Sequence, residues 1–278
     1  MRIAVVGAGQ MGSGIAQVAA AVGNAVTLID RDDAIVKRGI AGIEKQLARG
    51  VEKERITGEQ RDATLARIAP QTAMTKLDVD IAIEAASENL ELKLEIFRQL
   101  DAATPGEAIL ASNTSSISIT LLGAATKRAE RVIGMHFMNP VPVMQLVEII
   151  RGIATSQATF DATRQLAVDL AKTPVEVRDF PGFVSNRVLM PMINEAIYAL
   201  FEGVGSVEAI DTVMKLGMNH PMGPLQLADF IGLDTCLAIM EVLHEGFGDS
   251  KYRPCPLLKQ YVAAGWYGKK SGRGFYSY

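Results

Sequence analysis

Short apolar runs alternate with amphipathic segments along the first two thirds of the chain. An apolar run over residues 2–6 ends in glycines, and a helical pattern follows over about residues 11–22. A second apolar run, over residues 25–29, ends at Asp30. A strand, a glycine turn, a helix and a strand in this order predict a right-handed parallel crossover.

The same alternation continues to about residue 178. A charged helical pattern covers residues 33–67, and further helix-like segments cover residues 90–100 and 160–172. Strand-like runs cover residues 80–85, 108–112, 131–137, 146–150 and 175–178. This order is typical of an α/β protein, and it predicts a Rossmann-type, doubly wound sheet.

A short proline-rich link separates the strand that ends at Phe137 from the strand that begins near Met144. Its sequence is Asn139-Pro140-Val141-Pro142. Two prolines in so few residues exclude a helical crossover. We therefore expect a tight connection that brings these two strands close together.

Helical patterns dominate beyond the sequence Asp179-Phe180-Pro181-Gly182. They cover residues 183–201, 207–216, 225–244 and 257–264. Pro191 lies inside the first of them and should kink or break that helix. We therefore predict two domains, a Rossmann-type domain over residues 1–182 and an all-α domain over residues 183–278.

Composition narrows the class of protein further. The net charge of −3 provides no overall basic field, so neither nucleic acid nor an anionic membrane is an expected partner. The two cysteines, Cys236 and Cys255, have no nearby Cys or His cluster, which argues against a disulfide framework and a zinc site. No leader segment or membrane-spanning apolar stretch is evident. We expect a soluble cytoplasmic protein without a metal.

The glycine turn is the first candidate binding site. Gly7, Gly9 and Gly12, with Gln10 and Met11 between them, fit the G-x-G-x-x-G pattern that brings backbone amides to a pyrophosphate. Asp30 ends the next strand, where its carboxylate can accept hydrogen bonds from an adenosine ribose. These residues predict an NAD site, and Arg31 leaves NADP open. The alternative is a turn that only packs a helix on a strand.

His136 and Glu148 are polar residues inside apolar strands. A histidine among Met135, Phe137 and Met138 is more often a core residue than a catalytic one. Glu148 lies in a second apolar strand, however, and an unpaired buried carboxylate is costly. A pair formed by these two residues explains both positions.

Hydroxyl groups follow the strand at residues 108–112, in the sequence Asn113-Thr114-Ser115-Ser116. This end of an open sheet is where ligands bind, so the segment could contact a ligand. Equally, Thr114, Ser115 or Ser116 could simply cap a helix over residues 117–122. Chemistry alone leaves both interpretations open.

Several of these segments together resemble the 3-hydroxyacyl-CoA dehydrogenase family. The resemblance lies in residues 111–116, in residues 134–144 (GMHFMNPVPVM), in residues 181–187 (PGFVSNR) and in residues 221–224 (PMGP). It extends from Gly7 to the closing residues 272–276, which is essentially the whole chain.

The resemblance implies roles for individual residues. His136 matches the catalytic histidine and Glu148 its partner, while Ser115 and Asn186 match residues that hold the reacting end of the substrate. The residues that match cofactor contacts, besides the glycine turn, are Asp30, Glu88, Lys93, Asn113, Ser115 and Asn139. Arg49 and Lys53 would contact the coenzyme A phosphates.

The resemblance also implies an activity: NAD-dependent, reversible oxidation of a short-chain (S)-3-hydroxyacyl-CoA, such as 3-hydroxybutyryl-CoA, by a homodimer. Two alternatives stay open. A related dehydrogenase of a free hydroxy acid, of the L-gulonate type, would keep the His-Glu pair and need no cationic coenzyme A site. A non-catalytic nicotinamide-binding protein would keep the fold alone.

Overall fold

Eight strands form one mixed sheet in the computed structural model, which describes all 278 residues. The strands are β1 (Arg2–Val6), β2 (Ala25–Ile29), β3 (Ile68–Gln71), β4 (Ile81–Glu84), β5 (Ile109–Ser112), β6 (Val132–Phe137), β7 (Leu146–Arg151) and β8 (Thr173–Arg178). Their order is β3-β2-β1-β4-β5-β6-β7-β8, and only the β6-β7 pair is antiparallel. The predicted α/β fold is confirmed.

Six helices accompany this sheet. They are α1 (Gln10–Ala21), α2 (Asp33–Glu52), α3 (Gly58–Ala66), α4 (Leu90–Ala103), α5 (Ile119–Ala124) and α6 (Gln157–Asp169). Side chains of α1, α2 and α6 share one core cluster with alternate strand residues such as Ile81 and Ile83. Because side chains alternate along a strand, Ala82 and Glu84 face the opposite side, where α4 packs on β4 and β5.

Strand β3 and the division of the charged helical region were not predicted. β3 has only four residues, includes Pro70 and pairs with β2 alone. An edge strand with a proline has little apolar periodicity to detect. The predicted helical region at residues 33–67 is two helices, α2 and α3, separated at residues 53–57.

Helices dominate the remaining residues, as their pattern predicts. These are α7 (Ser185–Phe201), α8 (Val207–Thr212), α9 (Pro224–Ile231), α10 (Leu233–Phe247) and α11 (Pro256–Ala263). The predicted helix at residues 225–244 is two helices because Gly232 adopts a φ of +106° between them. Pro191, by contrast, lies within a continuous α7.

The chain divides into two compact units, Met1–Asp179 and Phe180–Tyr278. The second unit has its own core, which includes Ile193, Ile197, Leu225 and Leu243. None of its helices, nor any helix of the first unit, is long and apolar enough to cross a membrane. No group of three or more His, Cys, Asp or Glu residues is arranged to hold a metal ion.

Candidate active site

The polar segments singled out in the first unit meet at one edge of the sheet. Strands β1, β4, β5 and β6 are mutually parallel, so their carboxyl ends lie side by side. The glycine turn follows β1, Glu88 lies beyond β4, Ser115 lies beyond β5, and His136 is the penultimate residue of β6. In an open α/β sheet this edge is where ligands bind.

The three glycines of the turn differ in the atoms that lie near their Cβ positions. Gly7 has a φ of +106°, and a Cβ built on it would lie 2.5 Å from the carbonyl oxygen of Ala85. A Cβ on Gly12 would lie 1.7 Å from the carbonyl oxygen of Gly7, so this glycine lets α1 pack against β1. Gly9 has no heavy atom within 4 Å of its Cβ position, and that space is open to a ligand.

The amino end of α1 can bind an anion. Gly9 is its N-cap and has no side chain to cap the first turn, whose amides therefore point out of the helix. Asp30 accepts hydrogen bonds from the amides of Ala8 and Arg31, both at 2.8 Å. A carboxylate has about four acceptor positions, so it can still bind a ribose hydroxyl. These features fit a dinucleotide.

The link between β6 and β7 lies against α1. Gln10 Nε2 donates a hydrogen bond to Asn139 Oδ1 at 3.0 Å. Lys172 Nζ donates to the carbonyl oxygens of Val141 and Met144 at 2.6 and 2.8 Å, and partial burial lowers the pKa of this lysine. These contacts fix the link between the glycine turn and the strand that carries His136. Met11 is partly buried and packs on the core.

His136 and Glu148 face each other across the antiparallel pair of β6 and β7. The distance from His136 Nδ1 to Glu148 Oε2 is 2.8 Å, and the two side chains are 11% and 3% exposed. Because a carboxylate only accepts hydrogen bonds, Nδ1 carries the proton and Nε2 is the nitrogen that can accept one. This tautomer is the one that a general base requires.

Glu88 organises the serine segment, residues 113–116. Its Oε1 accepts hydrogen bonds from Thr114 Oγ1 at 2.5 Å, from the Ser115 amide at 2.9 Å and from Ser116 Oγ at 3.1 Å. At the other end of the segment, Asn113 Oδ1 accepts a hydrogen bond from the Phe137 amide at 2.9 Å. The segment is thereby tied both to β4 and to the residue after His136.

Helix capping does not account for the serine segment. Helix α5 begins at Ile119, and its N-cap is Ser118. The interpretation in which Thr114, Ser115 or Ser116 caps a helix over residues 117–122 is therefore wrong. Asp179 adds to the true cap by accepting hydrogen bonds from the amides of Ile119 and Thr120.

A buried ion pair that the sequence analysis missed lies beneath this segment. Lys93 Nζ is 2.6 Å from Glu84 Oε1, and the two side chains are 1% and 0% exposed. Removing one member of such a pair typically costs about 3 to 5 kcal/mol, because the other charge stays buried alone. Glu84 ends an otherwise apolar run and, like Glu148, is an acid in a buried strand that requires a partner.

The groups around Glu88 lower its pKa. Burial raises that pKa, but the positive charge of Lys93 and the hydrogen bonds from Thr114, Ser115 and Ser116 outweigh burial. The pKa of Glu88 therefore lies below its ordinary value. The residue is held as a carboxylate that can keep the serine segment in place.

Three further predicted site residues lie on helices α2 and α7 or directly after α2. Asn186 is in the first turn of α7, in the second unit, and is buried. Arg49 and Lys53 are exposed at the carboxyl end of α2. Their roles in substrate binding stay predictions.

The chain is similar over its full length to known proteins. Residues 2–180 match the family model "3-hydroxyacyl-CoA dehydrogenase, NAD binding domain", and residues 182–278 match "3-hydroxyacyl-CoA dehydrogenase, C-terminal domain". It is 62% identical to a probable 3-hydroxybutyryl-CoA dehydrogenase of Bacillus subtilis, covering 100% of this chain and 97% of the relative.

Two further comparisons agree with this result. A 3-hydroxybutyryl-CoA dehydrogenase of Bradyrhizobium diazoefficiens is 59% identical, with 100% of this chain and 95% of the relative covered. The crystal structure of an (S)-3-hydroxybutyryl-CoA dehydrogenase from Ralstonia eutropha superposes with a TM-score of 0.98 at 54% identity, covering 100% of this chain and 98% of that one. NAD is the cofactor that the matched domain indicates.

Proposed function

This chain belongs to the 3-hydroxyacyl-CoA dehydrogenase family, and from that premise we propose that it reversibly oxidises (S)-3-hydroxybutyryl-CoA to acetoacetyl-CoA with NAD. One observation carries the proposal. A histidine whose Nδ1 is held 2.8 Å from a buried carboxylate lies at the ligand-binding edge of a dinucleotide-binding sheet. That arrangement supplies a base for a hydroxyl group beside a site for a hydride acceptor.

His136 Nε2 takes the proton of the 3-hydroxyl group as general base. When bound, NAD supplies the acceptor for the hydride that leaves C3. Glu148 keeps the imidazole in the required tautomer and stabilises the positive charge that develops on the ring. In the reverse direction the protonated His136 returns the proton to the ketone oxygen.

Ser115 and Asn186 position the substrate in this proposal. Both carry groups that can hydrogen-bond the hydroxyl or thioester oxygen and hold C3 in a reactive orientation. Ser115 is placed by the contacts of its segment with Glu88. Asn186 lies on α7 in the second unit, so the proposal assigns a substrate contact to each unit.

Arg49 and Lys53 provide the proposed site for the coenzyme A phosphates. Both are cationic and exposed at the end of α2, the helix that follows β2 and Asp30. A free hydroxy acid would need no such site. Their contribution therefore separates an acyl-CoA dehydrogenase from a dehydrogenase of the L-gulonate type.

We also propose that the chain forms a homodimer through its second unit. Val188 is 67% exposed on α7, and Val204 is 76% exposed after it. Exposed apolar side chains are candidates for burial in an interface where they form one contiguous patch. Analytical ultracentrifugation of the wild type and of Val188→Lys would test this, since a monomeric wild type contradicts the proposal.

A spectrophotometric assay of NADH oxidation with acetoacetyl-CoA tests the function. Turnover should be faster with acetoacetyl-CoA than with a longer 3-ketoacyl-CoA, and faster with NADH than with NADPH, because Asp30 would repel a 2′-phosphate. Activity only on a free hydroxy acid such as 3-hydroxybutyrate would favour the L-gulonate type. NADH binding without any turnover would indicate a non-catalytic protein.

A further inference from the structure

We propose that Glu84, together with Lys93, is a positioning residue that holds the serine segment in its catalytic geometry. This inference rests on the proposed function, in which Ser115 binds the substrate. Glu84 lies in β4 with its side chain fully buried, so it acts through other residues. Two chains of hydrogen bonds lead from its carboxylate to the serine segment.

The first chain passes through β5. Ser112 Oγ donates a hydrogen bond to Glu84 Oε2 at 2.6 Å, and Ser112 Oγ in turn accepts one from the Thr114 amide at 3.1 Å. The Asn113 amide donates to the Glu84 carbonyl oxygen at 2.7 Å. Glu84 thereby fixes the point at which the chain leaves β5 and enters the segment.

The second chain passes through α4. Glu84 Oε1 is 2.6 Å from Lys93 Nζ, which also contacts the Ala86 carbonyl oxygen at 3.2 Å and Glu88 Oε2 at 3.3 Å. Lys93 thereby links the buried carboxylate of Glu84 to Glu88, which holds the serine segment.

The charge of Glu84 determines which groups bind the carboxylate of Glu88. Lys93 lies between two carboxylates, and the nearer one is Glu84. If Glu84 were neutral, the buried ammonium would have Glu88 as its only anionic partner and would draw that carboxylate toward itself. Glu88 would then be less available to the donors of Thr114, Ser115 and Ser116.

A displaced serine segment would also disturb the general base. Asn113 binds the Phe137 amide, and Phe137 follows His136 in β6. A shift of the segment therefore changes the position of Ser115 relative to His136. Misplacing a reacting group by about 1 Å can cost on the order of a hundredfold in rate.

The test is the variant Glu84→Gln, which keeps the shape of the side chain and removes its charge. We expect kcat/KM for acetoacetyl-CoA to fall by about tenfold or more, with NADH still bound in a fluorescence titration. The matched control is Asp101→Asn, because Asp101 pairs with Arg128 in the same unit at 2.7 Å, away from the serine segment. It should lower thermal stability by breaking an ion pair and keep kcat/KM.

A double-mutant cycle distinguishes positioning from general destabilisation. If Glu84 acts through the serine segment, Ser115→Ala should cost much less activity in the Glu84→Gln protein than in the wild type. Ser112→Ala, which breaks only the first chain, replaces Glu84→Gln in the cycle if that variant does not fold. The inference would be overturned if the fold-loss of kcat/KM in the double variant equalled the product of the two single losses. It would also be overturned if the Glu84→Gln protein kept the wild-type kcat/KM. Failure of the proposed function would instead be evident from a wild type that does not turn over acetoacetyl-CoA.

Discussion

Glu148 lies directly opposite His136 in the antiparallel pair of β6 and β7, with its Oε2 2.8 Å from Nδ1. Both side chains are nearly buried, so the carboxylate acts on the imidazole in a medium that screens charge poorly. It fixes which nitrogen of the ring can accept a proton.

Replacing Glu148 by Gln should therefore slow the reaction. Gln keeps the size of the side chain but carries no negative charge, so the positive charge that develops on His136 is less stabilised, and kcat should fall by about tenfold to ten-thousandfold. The measurement is steady-state kinetics of 3-hydroxybutyryl-CoA oxidation, with NADH affinity as the control for folding. A folded, NADH-binding variant with the wild-type rate would make Glu148 a structural strand residue.

Gly9→Ala should fold normally and bind NADH weakly. The backbone of Gly9, with a φ of −73°, suits any residue, and its Cβ would point into open space. That space is where the pyrophosphate must approach, so NADH affinity should fall by about tenfold or more with an unchanged melting temperature. Gly58→Ala is the control, since its Cβ position is equally open but lies on α3. Equal NADH affinities in the two variants would contradict this placement of the cofactor.

The double variant Arg49→Ala with Lys53→Ala should raise KM and leave kcat nearly unchanged. The coenzyme A phosphates lie far from C3, so their binding contributes equally to the ground state and the transition state. Steady-state kinetics with acetoacetyl-CoA at low salt would measure the change. The double variant Arg98→Ala with Arg164→Ala is the control, since it removes two positive charges from exposed positions on α4 and α6. An unchanged KM would make Arg49 and Lys53 ordinary surface residues.

Glu88→Gln should lower the melting temperature at neutral pH and have little effect in acid. The folded protein lowers the pKa of Glu88 below its ordinary 4.5, so the charged carboxylate stabilises the fold above that pH. This stabilisation is lost as the pH falls through the lowered value, where the wild type also becomes protonated. Thermal melts between pH 7 and pH 3 would show the gap closing, and the exposed Glu107→Gln serves as control. A gap that is constant with pH would contradict the assignment.

Periodicity predicted most elements of the fold, and the exceptions have local causes. The alternation of apolar runs and amphipathic helices located seven of the eight strands, and only the proline-containing edge strand β3 was missed. Gly232 divides a helix because its φ is positive, and no periodic pattern reveals that. Pro191 is accommodated within α7, so a proline alone does not determine where a helix ends.

The candidate site was less completely predictable than the fold. An acid inside an apolar strand pointed to Glu148, and the tight link after β6 indicated that it would lie near His136. Glu84 carries the same signal, but its partner cannot be predicted from the sequence because Lys93 lies on a helix and no motif joins the two. The role of Glu88 as a common acceptor for Thr114, Ser115 and Ser116 depends on tertiary contacts that sequence spacing does not reveal.

Because β6 and β7 form a hairpin, the number of residues in the loop at 138–145 determines which residue of β7 lies opposite His136. In an antiparallel pair, removing one residue from the loop changes the register, and side chains alternate between faces with every step. A single deletion there could place Val147 or Ile149 opposite His136 and turn the carboxylate of Glu148 into the core on the other face. The pairing of His136 with Glu148 thus depends on the number of residues in this loop. A deletion in the loop would separate the two side chains without replacing either of them.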